Sequence, residues 1–195
     1  MHACRSAEWI AAKIFTDGGA SSTSAIHAAF EWFMAPGGDP SKAPDVVNNS
    51  WGNSNSYNTE FHEDINAWIA AGIFPLFAAG NDGPGGQTIG SPGSFIEAFA
   101  VGATDSYDQI ASFSSRGPVY WVNENGENVR YIKPDLSAPG HMIYSAWPTA
   151  LGKGKDHTIS GHRWLLHMLL VPLHCFISKS KMGYRKLGIL KKQYN

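Results

Sequence analysis

The chain has 195 residues, of which 16% are charged and 12% aromatic, and its formal net charge is −1, so it is long enough for one domain with a sizeable core. No basic excess argues for nucleic acid and no acidic run for a disordered tail, while Cys4 and Cys175 make neither a metal spacing nor a disulfide framework. The opening MHACRSAEW has the pattern of neither a signal peptide nor a transit peptide, and no internal repeat or low-complexity segment follows it.

Residues 8–15 (EWIAAKIF) read as a short buried strand. Ser21, Ser22 and Thr23 then offer N-caps to a helix whose Ile26, Phe30 and Phe33 recur at helical spacing and form a core-facing stripe. That helix ends at APGG, and residues 36–44 are expected to be loop. In DVVNNSWG, residues 45–52, Val46 and Val47 read as buried strand and residues 48–52 as its functional end, followed by a polar loop over 54–58. Phe61, Ile65, Trp68 and Ile69 mark a second helix, closed by Gly72.

The central stretch is PLFAAGNDGPGG, residues 75–86. An apolar run over 73–77 stops at Ala78 and Ala79 and breaks into Gly80, Asn81, Asp82 and Gly83, the pattern of a buried strand ending in a turn. Further strands are expected over 98–103 (AFAVGA) and 110–115 (IASFSS), the second ended by Arg116-Gly117-Pro118. Residues 119–132 alternate around NENG at 123–126, a hairpin signal. KPDLSAPG (133–140) reads as loop, 142–147 as strand, and 152–156 as a turn before HTISG (157–161). Strands alternating with helices indicate an α/β fold, a mostly parallel sheet with helices on both faces. The hairpin is an antiparallel addition.

In open α/β sheets ligands bind outside the carboxyl ends of the strands, where the turn after residue 79 falls. There Asn81 would hold an uncharged amide donor over a cleft, and Ala78, Ala79 and Gly80 would leave room for a substrate side chain. The other reading is a plain strand-ending turn, since Asn tolerates left-handed backbone. On these residues alone both readings stand.

The segments DVVNNSWG, FAAGNDG, IGSPGSF, FAVGA, ASFSSRGP, KPDLSAPG and TISG occur in this order with compatible gaps. Together they resemble the subtilisin-like serine proteases (subtilases, peptidase S8), and MAPGGDP followed by PDVVNNSWG is most similar to the branch containing bacillopeptidase F. The resemblance runs over residues 8–161. It implies a subtilisin-like fold, a serine endopeptidase acting on peptide or protein substrates through a Ser-His-Asp triad, and secretion. Residue by residue, it implies that Asn81 is the oxyanion-hole donor. Ser50, Trp51 and Gly52 would be the edge that pairs with the substrate backbone as an added strand. Ala78, Ala79 and Gly80 would line one wall of the S1 pocket with Gly90 near its base, and Pro139 and Gly140 would turn the chain beneath the site. Asp82 reads as a solvated turn residue rather than a catalytic carboxylate. Family members bind calcium through variable loops, but no ligand set is legible here and no cofactor is expected.

The triad motifs are where this sequence departs from the family. The Asp-Thr/Ser-Gly and His-Gly-Thr-His motifs, upstream in the family, do not occur in it. The family's Gly-Thr-Ser-Met-Ala should follow TISG, yet His162-Arg163-Trp164-Leu165-Leu166 stands there. Back-translated and read one base earlier, HRWLLHMLLVPLHCF spells TSMAAPHVAGAVALL, which resembles the family's nucleophile helix. Trp164 and Met168 have codons with fixed third bases, so the leucines that follow them strictly limit the shifted residues, and they permit the alanine after the shifted Met and the valine after the shifted His. A one-base deletion near the Gly161 codon is therefore expected. It would divide the chain into a partial peptidase domain, residues 8–161, truncated at its N-terminal end and without the nucleophile helix, and an out-of-frame tail, 162–195. The chain as written is expected to be inactive, the alternative role being a non-catalytic peptide-binding remnant. No G-x-G-x-x-G opens a helix after the first strand, so nucleotide binding is excluded.

His27 and His62, within helices, read as structural, and His141 and His157 fall outside the family's base motif. His162, His167 and His174 mimic metal spacing in the tail but lack any supporting partner pattern. The apolar run 164–177 is shorter than the roughly 20 residues that span a membrane and is interrupted by Pro172. No metal, membrane or nucleic-acid partner is expected, and oligomeric state is not legible.

Overall fold

Ser22 is extended, with φ −124° and ψ 150°, and its hydroxyl accepts the Ala25 N–H at 3.2 Å, starting α1 (Thr23–Met34). This is the N-cap signalled by the Ser-Ser-Thr run. These positions come from a computed structural model that describes residues 8–146 and 156–160. The second helix, α2 (His62–Ala70), stops in a paired-bond motif at Gly72: Gly72 N–H donates to Ile69 and Ile73 N–H to Trp68, at 3.1 and 2.8 Å. Ile73, the residue that completes the motif, is 1% exposed, so the stop signal and the core share a residue.

The described residues divide into two compact units, 8–47 with 61–75, and 48–60 with 76–146 and 156–160. The first is held by aromatic packing between α1 and α2. Phe30 and Trp68 have ring centroids 4.2 Å apart, Phe33 meets Trp68 edge-on at 5.9 Å, and the Trp68 indole N–H donates to the Phe30 carbonyl at 2.9 Å. Beside them, His27 Nδ1 and Asp64 Oδ2 lie 2.8 Å apart, with the imidazole tilted over Phe61.

The strands are β1 (Val46–Asn49), β2 (Phe74–Ala78), β3 (Phe99–Thr104), β4 (Val119–Val122), β5 (Asn128–Tyr131), β6 (Leu136–Pro139), β7 (Ile143–Ala146) and β8 (Asp156–Ile159). A four-stranded sheet runs in the order β1-β2-β3-β6. β2 is parallel to β3, with Leu76 opposite Phe99 and Ala78 opposite Val101, and β3 is parallel to β6, with Val101 opposite Leu136. β2 is buried at every position, as a continuous apolar run in a parallel sheet requires. β4 and β5 form the expected hairpin, in which Asn123 Oδ1 accepts the N–H groups of Asn125 and Glu127. Trp121 and Tyr131 of that hairpin pack against Ala79, Ile89 and Val119. β7 and β8 pair antiparallel.

Some expectations are corrected. Residues 8–15 form no strand: Trp9 is 84% and Ile10 41% exposed, and without a ladder partner extended backbone has nothing to pair with. The strand over 110–115 is reduced to a bridge between Thr104 and Ile110 and then a turn, closed by Ser114 N–H donating to the Ala111 carbonyl. The hydroxyls of Ser114 and Ser115 accept the backbone N–H groups of Ala103 and Asp82 instead. The loop over 133–140 contains β6, whose Pro139 sits at the sheet edge where a missing N–H costs no ladder bond. Two short 3₁₀ turns, Pro36–Gly38 and Pro40–Lys42, occupy the expected loop over 36–44. The tail 162–195 and residues 152–155 of the turn expected over 152–156 lie outside the described residues, and Asp156 begins β8 instead. Among the described residues, no helix is long and apolar enough to cross a membrane.

Candidate functional site

β2 delivers the chain to the turn that carries Asn81. Ala79 N–H continues the ladder by donating to the Val101 carbonyl at 2.9 Å, and the backbone then departs at Gly80, where φ is +112°. Such a φ is open to glycine and strained for any other residue. Asn81 and Asp82 are exposed on the far side of the turn. Gly83 N–H donates to the Phe113 carbonyl at 2.9 Å and anchors the turn's exit. Ala78 and Ala79 are buried, and the Ala79 methyl packs into the core with Ile89 and Val119. Any surface that Ala79 presents towards Asn81 is therefore backbone.

The end of β1 is built on amide side chains. Asn49, 5% exposed, donates through Nδ2 to the Leu76 carbonyl at 3.3 Å and accepts the Trp51 indole N–H at 3.2 Å. Trp51 meets Phe77 edge-on with centroids 5.7 Å apart. Asn48 Nδ2 donates to Ser50 Oγ at 3.3 Å. The Asn48-Asn49 pair thus orients Ser50 and Trp51, and Gly52 follows exposed.

The backbone then brings the remaining candidates together. Asn53 N–H donates to the Ser91 carbonyl at 2.9 Å, and Gly90 N–H donates to the Ala79 carbonyl at 3.2 Å. Residues 53, 90–91 and 79 are thus tied backbone to backbone, linking the Ser50-Trp51-Gly52 edge to the Asn81 turn through Gly90. A Cβ on Gly90 would lie 2.0 Å from the Asn53 carbonyl oxygen, so only glycine fits. Ser91 Oγ and Ser94 Oγ donate to the carbonyls of Asn58 and Ser56 at 2.7 and 2.6 Å and hold the polar loop beside it. At the end of β6, the N–H groups of Gly140 and His141 both donate to the Thr104 carbonyl, which makes the turn expected at Pro139 and Gly140.

Chemically, the arrangement offers an exposed amide donor on a rigid turn and a neighbouring backbone edge. Among the described residues, no group of three or more His, Cys, Asp or Glu side chains could hold a metal ion. A concavity lined by Lys13, Ile14, Thr16, Asp17 and Ser22 shares no residue with the turn. Its Lys13-Asp17 pair is exposed, and the lysine holds the Asp17 carboxyl below its usual 3.8.

Sequence reading passed over Ser115, which bonds Asp82 of the turn, and Ser114, Lys133 and Asp135, which bond the backbone of Ala103, Ala98 and Ala100 in and just before β3. The available signals were the consecutive serines of SFSS and a lysine and aspartate flanking Pro134.

A family model described as the subtilase family (peptidase S8) matches residues 1–164. The chain is similar to bacillopeptidase F of Bacillus subtilis (strain 168), 41% identical over 151 residues that make up 73% of this chain and 10% of that protein. It is also similar to serine protease AprX of the same organism, 35% identical over 153 residues, 71% of this chain and 33% of that one. Among solved structures, the S41 psychrophilic protease superposes with a TM-score of 0.67 at 26% identity, covering 86% of this chain and 53% of that chain. Sphericase gives a TM-score of 0.65 at 25% identity over the same shares. The chain thus spans a tenth to a third of these curated relatives and about half of the solved ones.

Proposed function

This chain belongs to the subtilase family of serine peptidases, and on that premise we propose that it carries the oxyanion and substrate-binding half of a serine endopeptidase site. The observation that carries the proposal is the turn itself: Asn81 stands exposed at the carboxyl end of the buried strand β2, on backbone departing at Gly80. In this reading an extended peptide pairs with Ser50, Trp51 and Gly52 as an added strand. Its side chain enters against the backbone of Ala78, Ala79 and Gly80 with Gly90 below. When a serine attacks the scissile carbonyl, the Asn81 amide N–H donates to the oxygen on which negative charge develops. Because Asn81 is neutral, it stabilises that charge without a counter-charge that would also hold the ground state. Peptide or protein substrates and secretion belong to the same proposal, and no cofactor enters it.

The 195 residues hold none of the family's triad motifs, so the proposal extends to catalysis: this polypeptide binds peptide without turning it over. The test is to expose it to a fluorophosphonate probe and a chromogenic peptide. No labelling and no hydrolysis are expected, whereas steady hydrolysis abolished by the probe would refute the inactive reading. Resequencing the gene through the Gly161 codon separates the alternatives. An extra base that restores TSMAAPH, together with a frame upstream of Met1 that supplies the Asp and His motifs, identifies the product as a misread piece of an active peptidase, and a gene that reads as written leaves binding alone. In an active enzyme with the TSMAAPH frame restored and the upstream Asp and His motifs supplied, Asn81→Ala should lower kcat by about 10²–10³, a size taken over from subtilisin itself rather than derived for this chain.

A further inference from the structure

We infer that Ser115 is the positioning residue of the Asn81 turn, an inference that rests on the oxyanion reading above and names what holds the donor in place. Ser115 bonds to the residues on both sides of Asn81. Its backbone N–H donates to the Gly80 carbonyl at 3.1 Å, and its hydroxyl oxygen accepts the Asp82 N–H at 3.0 Å. The peptide groups that enter and leave Asn81 are therefore both fixed to one residue, the first by its backbone and the second by its side chain, and that residue is 1% exposed.

The site is built to admit this hydroxyl. A Cβ on Gly80 would stand 2.6 Å from Ser115 Oγ, so the glycine that permits the turn's backbone also vacates the space the hydroxyl fills. The next bonds outward repeat the arrangement. Ser114, also 1% exposed, accepts the Ala103 N–H of β3 on its hydroxyl at 2.9 Å, and the Phe113 carbonyl accepts the Gly83 N–H at 2.9 Å. Residues 113–115 thus join the turn to the sheet. Their failure to form the expected strand is what frees their polar groups to do so.

A donor that stabilises a developing oxyanion acts through preorganisation, since its dipole must be aimed before charge appears. Asn81 is exposed, and packing alone does not fix an exposed side chain. Tying down both flanking peptides limits where its amide can reach.

The test compares the 195-residue chain with its Ser115→Ala and Ser115→Thr variants by amide hydrogen exchange and by relaxation of the Asn81 side-chain amide. Ser115→Ala should speed exchange of the Asp82 N–H by about tenfold, the scale of one lost net hydrogen bond, and should mobilise the Asn81 amide. The Ala103 N–H, held by Ser114, should be unchanged, and Ser115→Thr, which keeps the hydroxyl, should restore protection at Asp82. Unchanged exchange at Asp82, or equal loss at Asp82 and Ala103, overturns the positioning role. Failure of the oxyanion reading shows elsewhere: Asn81→Ala without effect on an active enzyme, with the frame restored and the Asp and His motifs supplied, would remove the catalytic meaning while the exchange result stood.

Discussion

The ammonium of Lys133 and the carboxylate of Asp135 meet at 2.7 Å, with the lysine side chain 3% exposed. Lys133 Nζ also donates to the Ala98 carbonyl at 2.5 Å, and the same Asp135 oxygen accepts the Ala100 N–H at 2.7 Å. Asp135 N–H closes the ring by donating to the Ala100 carbonyl at 2.9 Å. Two charged residues on the approach to β6 thereby staple it to the start of β3.

Removing one partner of such a pair strands the other charge, and the lysine is the one with least access to water. Asp135→Ala should destabilise the fold by about 3 kcal/mol. Lys133→Met should cost clearly less, because Asp135 keeps its Ala100 N–H and a share of solvent. Urea denaturation of the two variants checks the order. Equal losses would show that the charges act only as spacers.

Trp68 couples α1 to α2 by its ring and by its N–H. Trp68→Phe removes the bond to the Phe30 carbonyl and leaves a space beside Phe33, a change expected to cost about 2 kcal/mol. The urea midpoint should fall with an unchanged slope, since the unfolded chain exposes nearly the same surface. A shift below a few tenths of a kcal/mol would mean that the helices repack around the smaller ring.

Gly80→Ala places a methyl against Ser115 Oγ at a backbone angle that L-residues rarely adopt. Together these should cost about 1–3 kcal/mol. The signature distinguishing this from general destabilisation is loss of exchange protection at Asp82 before loss at Val101. Simultaneous loss would place the strain in the strand instead of the turn.

Asp39 caps the Pro40–Lys42 turn, and the Ser41 hydroxyl followed by the Ser41 backbone N–H holds its carboxyl below the ordinary 3.8. A carboxyl with a depressed folded-state pKa contributes stability that is present above the unfolded value and is lost as pH falls through the folded one. The turn should therefore persist at neutral pH and loosen only below pH 3.8. An NMR titration of Asp39 should give a midpoint under 3.8 that rises in Ser41→Gly; a midpoint at or above 3.8 would show that the cap does not form in solution.

Local signals were sufficient where the bond partners lie close in the chain. Ser22 caps α1 from within its own run, Gly72 ends α2 by bonding back to Ile69, and Asn123 organises the hairpin turn it begins. They failed where the partner is remote. The apolar pattern of residues 8–15 predicts a strand, but a strand exists only beside another, and Trp9 stands exposed instead. KPDLSAPG reads as loop because Pro134 and Pro139 interrupt it, yet the bonds of Asp135 to Ala100 draw it into the sheet.

The sequence by itself determined the family, the helices, the hairpin and the buried run of β2, because these depend on periodicity, caps and motif order carried in adjacent residues. It also determined that Asn81 falls on a turn after that strand. Only the tertiary structure decided that Ala79 faces the core, that Gly90 touches the Asn53 backbone, and that Ser115 holds both peptides beside Asn81. The reason is physical: a buried hydroxyl or a missing Cβ has meaning only through the atom it meets. In this chain that atom lies 33 residues away for Ser115 and Asp82, a separation at which no local pattern records the contact.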